Sequence, residues 1–193
     1  EVRPDLVYCS ISGYGQSGPR ADQPGYDFVF QGMSGLMSIN GDPANEHSPG
    51  QRVGVPISDL IPGMYSTVAI LAALSHRSVS GKGQYIDMSL LDSTIALLAI
   101  PNMNYLLSGN VPARVGNAHA NIVPYQTFEC ANGHIVLAVG NDSQFASFCD
   151  AIEAPALTKD ERYCTNSRRL ANRASLVEAL TPIMKRRTVA DWT

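Results

Sequence analysis

Apolar and polar positions alternate along this chain in runs that predict strands and helices in turn. "LVYCSIS" (Leu6 to Ser12) favours β-structure and is apolar enough for a strand inside a parallel sheet. In "YDFVFQGMSGLMSI" (Tyr26 to Ile39) the residues Phe28, Val29, Met33, Leu36 and Met37 recur at helical spacing. Gly32 and Gly35 weaken that helix and predict close approach of another backbone. The helix predicted after Asp59 is apolar nearly all round, through Leu60, Ile61, Met64, Val68, Ile70, Leu71 and Leu74. Such a helix is expected inside a larger protein. "HRSVSGKGQ" closes it with a basic last turn and glycines. "QYIDMS" alternates as a strand, and "LLDSTIALLAIPNMNYLLSG" predicts a second apolar helix, kinked at Pro101.

The pattern then changes. "NVPARVGNAHANIVP" has no period and is rich in Pro, Gly and Asn, which predicts a domain boundary near Gly116. Beyond it "YQTFEC", a turn at "ANG" and "HIVLAV" read as a hairpin. A helix is expected to start near Asn141 and Asp142, with Phe145, Phe148 and Cys149 on one face. "APALTKDERYCTNSRRLANR" reads as a mixed, charged connection, and "RASLVEALTPIMKRRTVADW" as an amphipathic helix interrupted at Pro182. The order is α/β over residues 1–115, then a smaller α+β unit over 116–193.

Composition narrows the function classes. The chain of 193 residues is 45% hydrophobic and 16% charged, with a formal net charge of -3. A mildly acidic balance gives no basic stripe for nucleic acid. Asp59, Pro62, Asp92 and Pro101 interrupt the apolar runs, so none is expected to reach membrane-spanning length. No signal-peptide pattern opens the chain, and Glu1 leads straight towards a strand-like run, which predicts a start inside a domain. Cys9, Cys130, Cys149 and Cys164 form no CxxC pair and are expected to be free thiols, mostly buried, suiting a reducing cytoplasm or organelle matrix. No two histidines share metal-ligand spacing on a helix, so no metal site is expected.

Several chemistries compete. Gly13 to Gly18 reads G-x-G-x-x-G after a strand, but Pro19, Pro24 and Gly25 follow where a nucleotide fingerprint needs a helix. A Ser/His/Asp triad finds no G-x-S-x-G elbow, and His47, His76, His119 and His134 stand in unrelated contexts. The solitary acids Asp27, Asp59, Asp87 and Asp92 are more informative. Asp59 stands where a loop becomes a helix, so it reads either as an N-terminal cap or as a chemically active carboxylate. Periodicity leaves both readings open.

Longer stretches carry a resemblance. "YCSISGYGQSGPRADQPGYDFVFQGMSGLMSINGD", "GVPISDLIPGMYSTVAILAAL", "SGKGQYIDMSLLDS" and "RVGNAHANIVPYQTFECANGHIVLAVGNDSQFASFC" resemble the family III CoA-transferases, the carnitine CoA-transferase and bile-acid-inducible (CaiB/BaiF) group. Members are roughly twice this long, so the resemblance implies an internal piece, inactive alone, of a protein with a Rossmann-like large domain and a small domain. Residues 1–115 would belong to the large domain and 116–193 to the small one, in an interlocked homodimer. The family nucleophile, an aspartate at the mouth of an apolar helix, carries over to Asp59. The implied reaction moves coenzyme A from an acyl-CoA to a small carboxylic acid through an aspartyl intermediate, without a tightly bound cofactor. Gln23, Pro24, Gly25 and Tyr26 match a stretch that contacts CoA, and Ala138, Val139, Gly140 and Asn141 match the substrate-side loop. Gly140 and Asn141 are the expected oxyanion donors. Two alternatives remain: a racemase of the same fold acting on α-methylacyl-CoA, or a non-catalytic remnant. The racemases pair the aspartate with a histidine in "GHD", where this chain has Tyr26, and tyrosine, with an ordinary pKa of about 10, is a poor base at neutral pH. The free thiols make a cytoplasmic location, or the mitochondrial matrix in a eukaryote, the expected one.

Overall fold

The strand-favouring run after Leu6 forms β1 (Tyr8–Ser12), the first element of the computed structural model, which describes residues 3–45 and 47–193. Glu1 and Val2 at the chain start and Glu46 in the polar loop lie outside the described residues. The chain divides into two units, Glu1–Gly116 and Asn117–Thr193.

In the first unit β1 leads through turns to α1 (Asp27–Met33), α2 (Leu36–Ile39), a long loop and α3 (Ile57–Ser80). Then come β2 (Tyr85–Ser89), α4 (Leu90–Leu97) and α5 (Ala99–Ser108). β1 and β2 pair in parallel, from Tyr8 opposite Tyr85 to Ser12 opposite Ser89. Parallel pairing requires a crossover, which the intervening helices provide. The glycine-rich stretch opens no helix. It turns back over β2, where the Gln16 amide donates to Asp87 Oδ2 at 2.9 Å.

Four expectations are corrected here. The helix over Tyr26 to Ile39 is two helices, because Gly35 takes a left-handed φ of 91° that breaks the run. No backbone closes on it: a Cβ at Gly32 would meet the Met37 Sδ at 3.7 Å, and at Gly35 the Ser38 hydroxyl at 3.8 Å and the Leu98 side chain at 3.9 Å. The second apolar helix bends by 77° between α4 and α5, at Leu98–Ala99 rather than at Pro101. Proline lacks an amide and its ring crowds the carbonyl four residues back, here Leu97, so the break falls upstream of the proline itself. Asp59 and Pro62 also fail to interrupt their run. Both sit in the first two turns of α3, whose 24 residues are long and apolar enough, by length and composition alone, to cross a membrane.

α3 carries two different faces. Ser58, Pro62, Ser66 and Ala73 are buried, and these small residues allow the close packing seen against α1 and α4. Leu60, Met64, Val68 and Leu71 recur on the other face and remain more than half exposed.

The second unit has its own core. β3 (Tyr125–Cys130) and β4 (Gly133–Ala138) pair antiparallel as the expected hairpin. α6 (Asp142–Ala151), α7 (Ala156–Lys159), α8 (Asn166–Ala171), α9 (Arg173–Met184) and α10 (Val189–Trp192) follow. The mixed, charged connection holds two short helices, α7 and α8. Leu176, Leu180 and Met184 of α9 line up at four-residue spacing and bury against Phe128, Phe145 and Cys149. α9 runs past Pro182 to Met184. The bond lost there is to the carbonyl of Glu178, an exposed residue.

Candidate active site

The first turn of α3 decides between the two readings of Asp59. Pro56 is the N-cap residue and offers no side-chain cap, which makes Asp59 the third residue of the helix. The first N–H groups of a helix have no partner within it and must find one elsewhere. Here the Ile57 amide donates to the Val55 carbonyl at 2.8 Å, and the Asp59 and Leu60 amides to the Pro56 carbonyl at 3.1 Å each. The remaining amide, of Ser58, donates to Asp27 Oδ1 at 2.8 Å. Every one of these donors is served by an acceptor other than Asp59. Among the described residues the exposed Asp59 carboxylate accepts no hydrogen bond and meets no cation. Asp59 is not a cap.

The cap comes from α1. Asp27 Oδ2 accepts from Gln31 Nε2 at 2.9 Å, one helical turn on. Gln31 is fully buried; its Nε2 also reaches the Val53 and Val55 carbonyls at 3.3 Å each, and its Oε1 accepts from the Val53 amide at 2.8 Å. The Asp27–Gln31 pair thereby fixes the chain over Val53 to Ser58 and sets the direction in which α3 begins. In the sequence Asp27 looks like another solitary acid and Gln31 carries no mark of its own. The available signal was the Asp-x-x-x-Gln spacing on a helix whose other residues are apolar.

Gln23, Pro24, Gly25 and Tyr26 form the approach to α1 in the same unit. Tyr26 is the N-cap residue of α1 and 77% exposed, so its ring is not packed on the core. The aromatic that does pack there is Phe30, fully buried, with its ring against the position a Cβ on Gly25 would take. Gly25 is thus required for lack of space. The structure brings Tyr26 and Asp59 into one framework, because the residue after Tyr26 bonds the residue before Asp59.

Ala138, Val139, Gly140 and Asn141 belong to the second unit, at the junction of β4 and α6. Val139 is buried and its amide donates to the Pro124 carbonyl at 3.1 Å. Asn141 caps α6, its Oδ1 accepting from the Gln144 amide at 2.9 Å and the Ser143 hydroxyl at 2.8 Å. The Gly140 amide is held by Gln144 Oε1 at 2.7 Å. Beneath this junction lies Arg169, fully buried. It donates to the Val123 and Tyr163 carbonyls at 2.7 and 3.0 Å and to Asp142 Oδ1 at 2.8 Å, and stacks over Phe145 at 4.3 Å. A string of arginines in a charged connection gave no sign that one of them would be buried.

Comparison with known proteins places this geometry in context. The family model for CoA-transferase family III matches residues 1–193. The succinate–glutarate CoA-transferase of Agrobacterium fabrum is 49% identical over 180 residues, covering 93% of this chain and 44% of that protein. The human succinyl-CoA:glutarate CoA-transferase is 40% identical over 196 residues, covering 100% of this chain and 43% of that protein. A crystal structure of a CaiB/BaiF family protein from Brucella suis superposes with a TM-score of 0.75 at 46% identity, over 98% of this chain and 49% of that one. The chain therefore spans about half the length of the relatives it matches.

Proposed function

This chain belongs to CoA-transferase family III, and from that premise we propose that it carries the nucleophile of an enzyme that transfers coenzyme A from an acyl-CoA to a small carboxylic acid, with Asp59 as that nucleophile. The observation that carries the reading is the uncommitted carboxylate of Asp59 at the start of an apolar helix, every first-turn amide being served by another acceptor. A carboxylate with all its lone pairs available is a nucleophile.

An Asp59 oxygen attacks the thioester carbonyl, a tetrahedral oxyanion forms and collapses, and the C–S bond breaks to give a mixed anhydride and CoA thiolate. The thiolate attacks the Asp59 carbonyl carbon and expels the donor's acid, leaving an aspartyl-CoA thioester. The acceptor carboxylate then attacks that thioester, releasing the thiolate and forming a second anhydride. The thiolate attacks the acceptor's acyl carbon, and Asp59 leaves as the free carboxylate. Covalent capture divides one hard exchange into steps that each have a good leaving group.

Each oxyanion needs fixed donors. In this reading the Ala138–Asn141 junction supplies them, with the Gly140 amide becoming available when the flexible Gln144 side chain swings away. Tyr26, with Gln23, Pro24 and Gly25, contributes to the CoA side. The names of the two relatives above make a short dicarboxylic acid the acceptor to test first. The whole enzyme works as a dimer whose large domain contains this chain's first unit.

The test uses the intact protein with succinyl-CoA and hydroxylamine, followed by mass spectrometry. Modification at Asp59 is expected, and Asp59→Ala and Asp59→Asn are expected to lower transfer by at least about 10³-fold while the protein stays folded. Full transfer by either variant refutes the assignment.

A further inference from the structure

Another helix of this chain shows what a third-position aspartate ordinarily does. α10 begins Thr188-Val189-Ala190-Asp191, and there Asp191 Oδ2 accepts from the Thr188 amide at 2.9 Å while the Thr188 hydroxyl accepts from the Asp191 amide, a reciprocal capping box. The Thr188 hydroxyl, which also donates to Asp191 Oδ2 at 2.6 Å, and then the Thr188 amide hold the Asp191 carboxyl below its ordinary pKa. α3 begins Pro56-Ile57-Ser58-Asp59, with the acid at the same spacing. Proline has no amide hydrogen, so the bond Asp191 makes has no counterpart for Asp59. The Ser58 amide, the next donor within reach, is occupied from outside the helix by Asp27. Two separate features thus withhold from Asp59 the partners that its position would normally give it.

We propose that Asp27 and Pro56 are positioning residues for the nucleophile: Pro56 removes the amide that would draw the Asp59 carboxylate back onto its own helix, and Asp27 caps the Ser58 amide in its place. The inference rests on Asp59 being the nucleophile. Neither residue touches substrate in this account. Each acts by what it denies to Asp59.

The arrangement has a second consequence. Asp27 follows Tyr26 directly, and its other oxygen is held by Gln31. The turn assigned to the CoA side and the first turn of the nucleophile helix are therefore joined by one carboxylate, and displacement of either is transmitted to the other.

The test uses the intact protein and three variants. Asp27→Ala frees the Ser58 amide and is expected to lower kcat by about 10²-fold with KM changed less than threefold, because a misplaced nucleophile affects the chemical step and not ground-state binding. Asp27→Asn keeps an acceptor for that amide and is expected to recover kcat to within about tenfold of the parent. Pro56→Ser supplies both the amide and the hydroxyl of a capping box and is expected to lower kcat at least tenfold with Tm undiminished. Crystals of that variant should show the Asp59 carboxylate bonded to the new amide at position 56. Slower labelling of Asp59 by hydroxylamine in Asp27→Ala and Pro56→Ser supports the inference. Parental kcat in both, or loss of activity in Pro56→Ser only in step with a falling Tm, overturns it. If Asp27→Ala does not fold, the other two variants decide. Failure to label Asp59 in the parent protein refutes the transfer reading instead, while the crystal geometry of Pro56→Ser still tests whether proline keeps the carboxylate off the helix.

Discussion

A carboxylate three residues into a helix ordinarily turns back to the amides behind it, and Asp191 does so. Asp59 differs only through its neighbours, and residue-scale chemistry elsewhere in the chain is decided in the same way. Cys149 is fully buried, and burial, with Asp150 beside it, pushes its thiol up to about 11. The thiolate is the reactive form, so Cys149 is inert at neutral pH. Cys130 is buried as well, Cys9 half-buried and Cys164 exposed. Iodoacetamide at pH 8 is expected to label Cys164 first and Cys149 only on unfolding, a ranking that peptide mapping checks. The linkage has a definite sign. The folded Cys149 thiol holds its proton more tightly than an unfolded one, so its contribution to stability is intact below about pH 8.5 and fades as pH rises towards 11.

At the scale of elements, Arg169 binds three segments of the second unit to one guanidinium. Arg169→Met removes the donors to the Val123 and Tyr163 carbonyls and the pair with Asp142, and is expected to cost about 3 kcal/mol in urea unfolding. Arg169→Lys should recover only part of that, since an ammonium cannot span three acceptors set out for a planar fork. Leu180→Ala, in the centre of α9, is expected to cost about 2–5 kcal/mol by leaving a cavity. Periodicity revealed α6, α9 and the β3–β4 hairpin, where one face is apolar and the other wet, while α3 followed from an apolar run with hardly a polar break. It failed where a single residue overrode the run. Gly35 ended α1 and Pro101 bent the helix a turn ahead of itself, because backbone sterics act locally and hydrophobic spacing averages over them. The candidate site was legible in part. Asp59 stood out as a lone charge before an apolar helix, and the resemblance carried its register. What occupies the helix end was not legible, since Asp27 and Ser58 are 31 residues apart and no local pattern joins them.

At the scale of the whole chain, the two units differ in what they cover. The buried cluster of Phe128, Phe145, Leu176 and Leu180 belongs to the second unit, while Leu60, Met64, Val68 and Leu71 of the first lie open to solvent. Among the described residues the strands of the first unit form a ladder of two, β1 with β2. A contiguous apolar stripe on a helix seeks a covering partner. The 193-residue chain on its own is expected to self-associate and to bind a hydrophobic dye, whereas residues 117–193 alone should melt cooperatively as a monomer. Sedimentation velocity with a dye titration checks the first, and calorimetry the second. A dye-silent monomer of the full 193 residues contradicts the argument from exposed surface.

The turn before α1 separates two duties that usually fall on the same side chain. Gly25 is dictated by the Phe30 ring and Asp27 by the amide it holds, yet the ring of Tyr26 stands free of the core. Evolution can therefore rewrite that one letter without unmaking the scaffold. A histidine grafted there should leave the melting curve where it was, so the chemistry offered at that position can change independently of the architecture that presents it.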